Sequence, residues 1–177
     1  SEVHTAFSLQ EVKAMQFTDL SVTTKNAQSF LIGHVWDHNK TTPVANFLRC
    51  HFEECGSAGI IGGAISASVI ALNIDQCRFV GCKAKLAGAI YGQSLTYSLG
   101  YGSTHIATGV IQNSHFEDCY SLLFPNTKTP QPRGFFGAGS TNGYKDNGGA
   151  IFADMNASGF IEKCTFVRAS VNLGKLF

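Results

Sequence analysis

Cysteine recurs in this chain at a fixed spacing, and thiol chemistry is the first chemistry that the pattern suggests. Two segments, CHFEEC at 50–55 and CRFVGC at 77–82, place a phenylalanine between two cysteines. SHFEDC at 114–119 keeps the second cysteine, and CTFVRA at 164–169 keeps the first. Six cysteines could form disulfides, bind zinc or remain free thiols. The Cys-x2-Cys pairs typical of structural zinc sites are absent from the sequence, so zinc is not predicted.

Acidic residues are the second group that could do chemistry. Acidic pairs at 53–54 and 117–118 follow the phenylalanine of their segments, but the intervening segment has Val80 and Gly81 there. This separation predicts solvated corners instead of the paired carboxylates of a glycosidase. Asp146 and Asp154 are candidate oxygen ligands for calcium, but their spacing matches no calcium-binding loop. No catalytic residue, resident metal or cofactor is therefore predicted.

The elements that position these residues emerge when the segments are aligned on phenylalanine. One column then contains Phe17, Phe52, Phe79, Phe116 and Phe166. Two positions earlier stand Met15, Cys50, Cys77, Ser114 and Cys164. Three positions later stand Leu20, Cys55, Cys82, Cys119 and Ala169. The columns between these apolar or small ones are mostly polar, and this period of two is typical of a β-strand.

Two further segments complete each repeat. A Gly-Ala-Ile-like segment at 63–65, 88–90, 149–151 and, in its last copy, 174–176 predicts a second strand after a tight corner. A third apolar run, such as 69–74, leads to the next phenylalanine. The pattern predicts an all-β fold, a right-handed parallel β-helix of about five rungs with three short strands per rung. One domain spans 1–177, with loop insertions at 92–105 and 120–147, and we expect it to be a segment of a longer solenoid.

The alignment changes the interpretation of the cysteines. They share inward columns with methionine, leucine, serine and alanine, which predicts packing. Stacked residues lie about 4.8 Å apart with parallel side chains, whereas the Cβ atoms of a disulfide are about 3.8 Å apart. We therefore expect buried ladders of free thiols, and Cys50–Cys77 and Cys55–Cys82 are the neighbouring pairs to examine first.

The ordered recurrence of GGAI blocks, at 62–65 and 148–151, with Phe-x-x-Cys blocks resembles the GGAI and FxxN repeats of chlamydial polymorphic outer-membrane proteins. The resemblance covers roughly residues 12–177 and extends to pectin-lyase-like β-helices. It implies a surface-exposed β-helix with an adhesive role. One difference is systematic, because Cys55, Cys82 and Cys119 stand where the family has asparagine. A thiol behaves more like a small hydrophobic group than an amide does, which indicates a distinct branch.

The two insertions are the candidate binding regions, because loops on a rigid scaffold often carry function. Tyr97, Tyr101 and Tyr144 are the candidate ligand-binding residues and would suit a glycan. Asn39 and Asn156 lie in glycosylation sequons, which have meaning only in a eukaryotic secretory pathway.

Composition excludes some partners. The formal net charge is +1 without a basic run, so nucleic acid is not expected, and no apolar stretch is long enough to span a bilayer. The favoured function is a non-enzymatic structural or adhesive module, extracellular or at the cell surface. It would self-associate or join a larger assembly through an uncapped last rung ending at Leu176 and Phe177. The alternative is a glycan-binding or pectin-lyase-like carbohydrate-active β-helix, with glycans as partners.

Overall fold

The computed structural model describes residues 5–10, 14–25, 27–33, 43–57, 61–68, 70–85, 87–93, 108–123, 136–138, 150–154 and 158–173. These residues form nineteen β-strands, and every pairing between them is parallel. The described part of the chain contains no helix, and hence none that could cross a membrane.

Four sheets contain these strands. Sheet I consists of β2 (Ala14–Thr18), β5 (Val44–Leu48), β8 (Ala71–Asp75), β12 (Thr108–Gln112) and β17 (Ser158–Glu162). Sheet II consists of β3 (Ser21–Lys25), β6 (His51–Gly56), β9 (Arg78–Val80), β13 (His115–Glu117) and β18 (Thr165–Val167). Sheet III consists of β10 (Lys83–Ala84), β14 (Tyr120–Leu123) and β19 (Ser170–Leu173). Sheet IV consists of β1 (Thr5–Gln10), β4 (Gln28–Gly33), β7 (Ile65–Ser68), β11 (Ile90–Gln93), β16 (Ile151–Asp154) and β15 (Phe136–Ala138).

The chain contributes strands to the sheets in a fixed, repeating order. From β2 in sheet I it passes to β3 in sheet II, to β4 in sheet IV and back to sheet I at β5. Successive passages lie side by side in each sheet, so each passage forms one level of a stack: β2–β4, β5–β7, β8–β11, β12–β16 and β17–β19. At the third and fourth levels a short sheet III strand lies between the strands of sheets II and IV, and at the fifth level β19 follows β18 in the same way; the prediction of three strands per rung did not include this strand. Parallel strands in stacked sheets are compatible with a parallel β-helix.

Inward side chains form ladders that run through the levels. The register of sheet I aligns Phe17, Phe47, Ile74, Ile111 and Ile161. The register of sheet II aligns Val22, Phe52, Phe79, Phe116 and Phe166. The rings of Phe52, Phe79 and Phe116 are buried and nearly parallel, with centroids 4.9 Å and 4.8 Å apart. That distance equals the usual spacing of paired strands, so in-register pairing itself stacks the rings.

The register of the first level differs from the predicted alignment. Phe17 pairs with Phe47 in sheet I, and Val22 occupies the place beside Phe52 that the sequence alignment assigned to Phe17. Corner stacking explains the shift of five positions, because the backbone N–H of Asp19 donates to the carbonyl of Leu48 at the same corner (3.0 Å). Matching phenylalanine to phenylalanine was therefore wrong for this level. The same correction changes the two cysteine columns. In the column of Cys50, Leu20 takes the place predicted for Met15. In the column of Cys55, Lys25 takes the place predicted for Leu20.

The insertions also differ in extent from the predicted loops. The first begins later than expected, because Gly92 and Gln93 belong to β11. The second contains β14, which is part of sheet III, and β15, which extends sheet IV beyond β16. Both edges of β16 are occupied, by β11 and β15. The predicted last strand at 174–176 lies outside the described residues.

A glycine corner precedes sheet IV at the second level. Gly56 and Gly62 have positive φ angles of 98° and 90°, which favour glycine. A Cβ on Gly63 would lie 2.0 Å from the carbonyl oxygen of Gly88, and one on Gly56 would lie 2.0 Å from that of Lys83. Close approach of backbone to backbone therefore explains why the GGAI block at 62–65 begins with two glycines.

Candidate functional site

Most residues assigned to a ligand or modification from sequence lie outside the described part of the chain: Asn39, Tyr97, Tyr101, Tyr144, Asp146 and Asn156. The backbone of Asp154 ends β16, where it pairs with Gln93. Among the described residues, no group of three histidine, cysteine, aspartate or glutamate side chains is placed to hold a metal ion. Three other arrangements are well defined in the described residues: the thiol corners, an ion-pair network and a polar groove.

Left-handed backbone residues mark two series of corners, and every cysteine directly follows one of them. At the corner between sheets I and II, φ lies between 49° and 55° for Asp19, Arg49, Gln76, Asn113 and Lys163. At the corner after sheet II, φ lies between 50° and 63° for Glu54, Gly81, Asp118 and Arg168. The next residues are Leu20, Cys50, Cys77, Ser114 and Cys164 in the first series and Cys55, Cys82, Cys119 and Ala169 in the second. We call these positions the thiol corners.

The thiols hydrogen-bond the backbone of their corners. The Cys77 Sγ lies 3.3 Å from the carbonyl oxygen of Asp75 and 3.4 Å from that of Phe47 on the level below, so its S–H can donate to either. The same Sγ accepts the backbone N–H of Cys50 (3.4 Å). Because buried carbonyls and N–H groups need partners, these thiols have a polar role as well as filling space. The sequence interpretation included only the packing.

Serine replaces the thiol at one level and makes the same contacts at shorter range. The Ser114 hydroxyl donates to the carbonyl of Gln112 (2.7 Å) and accepts the backbone N–H of Cys77 (3.1 Å). A hydroxyl forms stronger hydrogen bonds than a thiol, which explains the shorter distances. Cysteine and serine therefore both hydrogen-bond the corner backbone, whereas Leu20 and Ala169, at the two end levels, have no polar side-chain group to do so.

All six cysteines are free. Loss of hydration raises the pKa of the Cys77 thiol to about 12. Hydrogen bonding to Cys119 and Cys55, together with burial, raises the pKa of Cys82 well above its usual range. Donation from the Cys82 thiol, and then from the Ser29 hydroxyl at 2.9 Å, lowers the pKa of Cys55 to about 6 against the opposing effect of burial. Cys55 has no exposed surface, so a reagent cannot reach its thiolate in the folded protein.

An exposed ion-pair network links three levels at the corner after sheet II. Arg168 donates to both carboxylate oxygens of Asp118 (2.6 and 2.8 Å) and to Glu117 (2.8 Å). Glu117 Oε2 also accepts a hydrogen bond from the Arg78 guanidinium (3.0 Å) and lies 3.4 Å from His115 Nε2. The guanidinium of Arg78, followed by His115 and Arg168, lowers the pKa of Glu117, and Arg168 lowers that of Asp118. Of the acids predicted to lie at solvated corners, Glu117 and Asp118 thus also pair with arginines of the neighbouring levels.

A polar groove of about 430 Å³ lies on the outer face of sheet I. Its lining contains Gln16, Asn46, Phe47, Leu48, Asn73, Ile74, Asp75, Val110 and Gln112. The Asn73 amide donates to Asn46 Oδ1 (2.9 Å), and Asn46 Nδ2 lies 3.4 Å from the carbonyl oxygen of Met15, forming an amide ladder. Asp75 Oδ1 accepts a hydrogen bond from Asn113 Nδ2 (2.8 Å).

Sequence reasoning missed this groove because it placed the first level in the wrong register. The predicted alignment set Gln16 beside His51, whereas the strand pairing sets it beside Asn46 and then Asn73. With the register corrected, three consecutive levels carry an amide at one outward position, and that column was the available signal.

No protein-family model, curated protein or solved structure matches this chain. The geometry of the described residues is therefore the basis for the functional proposals.

Proposed function

We propose that the chain is a right-handed parallel β-helix that serves as a non-enzymatic structural or adhesive module of an extracellular or cell-surface protein. The cyclic order of the sheets and the inward ladders that run from level to level support a solenoid. The resemblance of the GGAI blocks to surface-protein repeats supports the location. Free thiols are compatible with an oxidising compartment because five of the six are buried and structural buried cysteines are inert.

The inward ladders are exposed at both ends of the stack, and this exposure is the observation that supports assembly. Ile161, in the outermost strand of sheet I, is 39% exposed, although Ile74 in the same ladder is 0% exposed. At the other end, Phe7 of β1 is 43% exposed, whereas its stacked neighbour Phe30 is completely buried. Each end therefore presents apolar side chains of the kind that a further level would cover.

We propose that a further β-level of like chemistry covers these ends, supplied by a second copy of the chain or by more of the same protein. The purified chain should then self-associate as its concentration increases. Ile161→Glu should reduce this association, because it places a charge in the contact between levels. Sedimentation velocity over a range of concentrations measures the effect.

Phe160→Glu is the matched control, because Phe160 is adjacent to Ile161 but points outward from the same strand. This variant should associate like the parent chain. A second test variant, Phe7→Glu, addresses the opposite end of the stack. A parent chain that stays monomeric at the highest concentration, or association equally reduced by Phe160→Glu, would contradict assembly through the ends.

A further inference from the structure

We propose that the groove on the outer face of sheet I binds a neutral, hydroxyl-rich polysaccharide that lies along the stack of levels. This proposal goes beyond the structural role and does not depend on association through the ends. The groove is made from side chains of rigid strands, so its polar groups are held in place before a ligand arrives.

The repeat of the groove suits an extended polymer. Gln16, Asn46 and Asn73 occupy the same outward position on three successive levels, and each level adds about 4.8 Å. That spacing is close to the rise per sugar of an extended β-linked glucan. An amide carries both a donor and an acceptor, which matches a hydroxyl group that also has both. One amide can therefore meet one sugar at each level.

Free hydrogen-bonding capacity remains in the groove. The side-chain amide of Gln112 has no hydrogen-bond partner among the described residues. Asn73 donates to Asn46, but its own side-chain oxygen accepts nothing from the described part of the chain. These two groups lie in neighbouring outward columns on successive levels, so they can face hydroxyls on adjacent sugars.

An exposed aromatic ring continues the amide column. Val110 follows Asn73 in this column, and Phe160 follows Val110 on the next level. The Phe160 side chain is 76% exposed, the most exposed of the large hydrophobic side chains in the described residues. An aromatic face is a good platform for the C–H face of a pyranose ring, since it buries apolar area without needing a polar partner.

Charge favours a neutral ligand. Asp75 is the one ionisable side chain in the groove lining, and neither lysine nor arginine is part of it. Glu162 lies beyond Gln112 in the column of Asp75, where Lys163 pairs with it at 3.2 Å. A polyuronate would meet the Asp75 carboxylate in a groove whose lining contains no cation to neutralise the polyuronate. The groove lining contains a single carboxylate and not the pair that a glycosidase uses, so the proposal is binding without cleavage.

Titration calorimetry with cellohexaose, an uncharged β-linked oligosaccharide, tests the proposal, and a galacturonate oligomer of the same length is the acidic comparison. Gln112→Leu should weaken cellohexaose binding about fivefold through the loss of hydrogen bonds. Phe160→Ala should weaken it about tenfold through the loss of the stacking surface. Each substituted side chain is at the surface, so circular dichroism and the melting temperature should be unchanged.

Matched controls lie on sheet IV. Gln10→Leu makes the same substitution on exposed β1, and Leu31→Ala removes an apolar side chain that is 40% exposed on β4. Neither control should alter the affinity. Absence of cellohexaose binding, tighter binding of the galacturonate oligomer, or equal losses in the controls would overturn the proposal. The appearance of new reducing ends would overturn binding without cleavage. Gln112→Leu should sediment like the parent chain. This result would show that the variant affects glycan binding and not assembly through the ends.

Discussion

The thiol corners and the glycine corner change the direction of the chain in different ways. At the thiol corners the left-handed residue points its side chain to solvent, so aspartate, arginine, glutamine, asparagine, lysine and glutamate all occupy that position in this one chain. The residue that follows fills the interior, and at the cysteine and serine levels its thiol or hydroxyl also hydrogen-bonds the corner backbone. At the glycine corner, backbone packs directly against the backbone of the next level, and Gly63 leaves no room for a Cβ. The thiol corners therefore depend on side-chain hydrogen bonds, whereas the glycine corner depends on the absence of a side chain.

The largest effect is expected from Gly63→Ala. The added Cβ would lie 2.0 Å from the carbonyl oxygen of Gly88, and the obstacle is backbone that cannot rotate away. We expect a loss of about 3–5 kcal/mol in the free energy of unfolding, measured by urea denaturation. Gly92→Ala is the control, since a Cβ there would meet nothing within 4 Å. Similar losses in both variants would show that backbone contact is not the cause.

Ser114→Ala should have an intermediate effect. It removes a donor to the Gln112 carbonyl, which still accepts the backbone N–H of Gln76, and the acceptor of the Cys77 N–H, which is left buried without a partner. The expected loss is about 2 kcal/mol in the free energy of unfolding. Ser114→Cys should recover most of it, because a thiol fills this position at neighbouring levels. If alanine and cysteine were equally destabilising, the side-chain hydrogen bonds would not be what stabilises this corner.

The smallest effect is expected from Gly81→Ala. Gly81 is the only glycine among the left-handed residues of the thiol corners, and a Cβ there would approach no heavy atom closer than 3.8 Å. We therefore expect a loss of only about 1 kcal/mol in the free energy of unfolding, which is the cost of the left-handed conformation for a residue with a Cβ. Thermal unfolding measures this loss. Gly81→Asn should cost less, because asparagine tolerates this conformation. A loss as large as that of Gly63→Ala would remove the distinction between the two kinds of corner.

Much of the strand architecture could be predicted from the alternation of apolar and polar residues. The pattern around Phe52, Phe79 and Phe116 has a period of two, and the structure pairs these residues in register on parallel strands. Inward packing depends on local sequence, so it is visible in a single chain. The glycine pair at 62–63 similarly predicted a tight corner, and the structure has a corner there, directly before β7.

The register of the first level could not be obtained in the same way. Phe17 looks like a member of the phenylalanine column, yet Val22 occupies that place. The deciding interaction is a backbone hydrogen bond at the corner of Asp19, and backbone groups are the same for every residue type. The amide column of the groove was hidden for the same reason, because it appears only when Gln16 is placed beside Asn46. Insertions posed a different problem, since β15 and β16 pair across a glycine-rich stretch of sequence that carries no repeat pattern.

The position of β15 has a consequence for the nascent chain on the ribosome. The first three levels are made in the order in which they stack, so each can pair with a finished neighbour as it emerges. β15 breaks this order, because it is synthesised before β16 but pairs with the far edge of that strand. It has no template in sheet IV until β16 has joined β11. A translational pause that leaves β15 outside the ribosome and β16 still inside the exit tunnel would therefore hold three completed levels beside a strand that must wait for its partner.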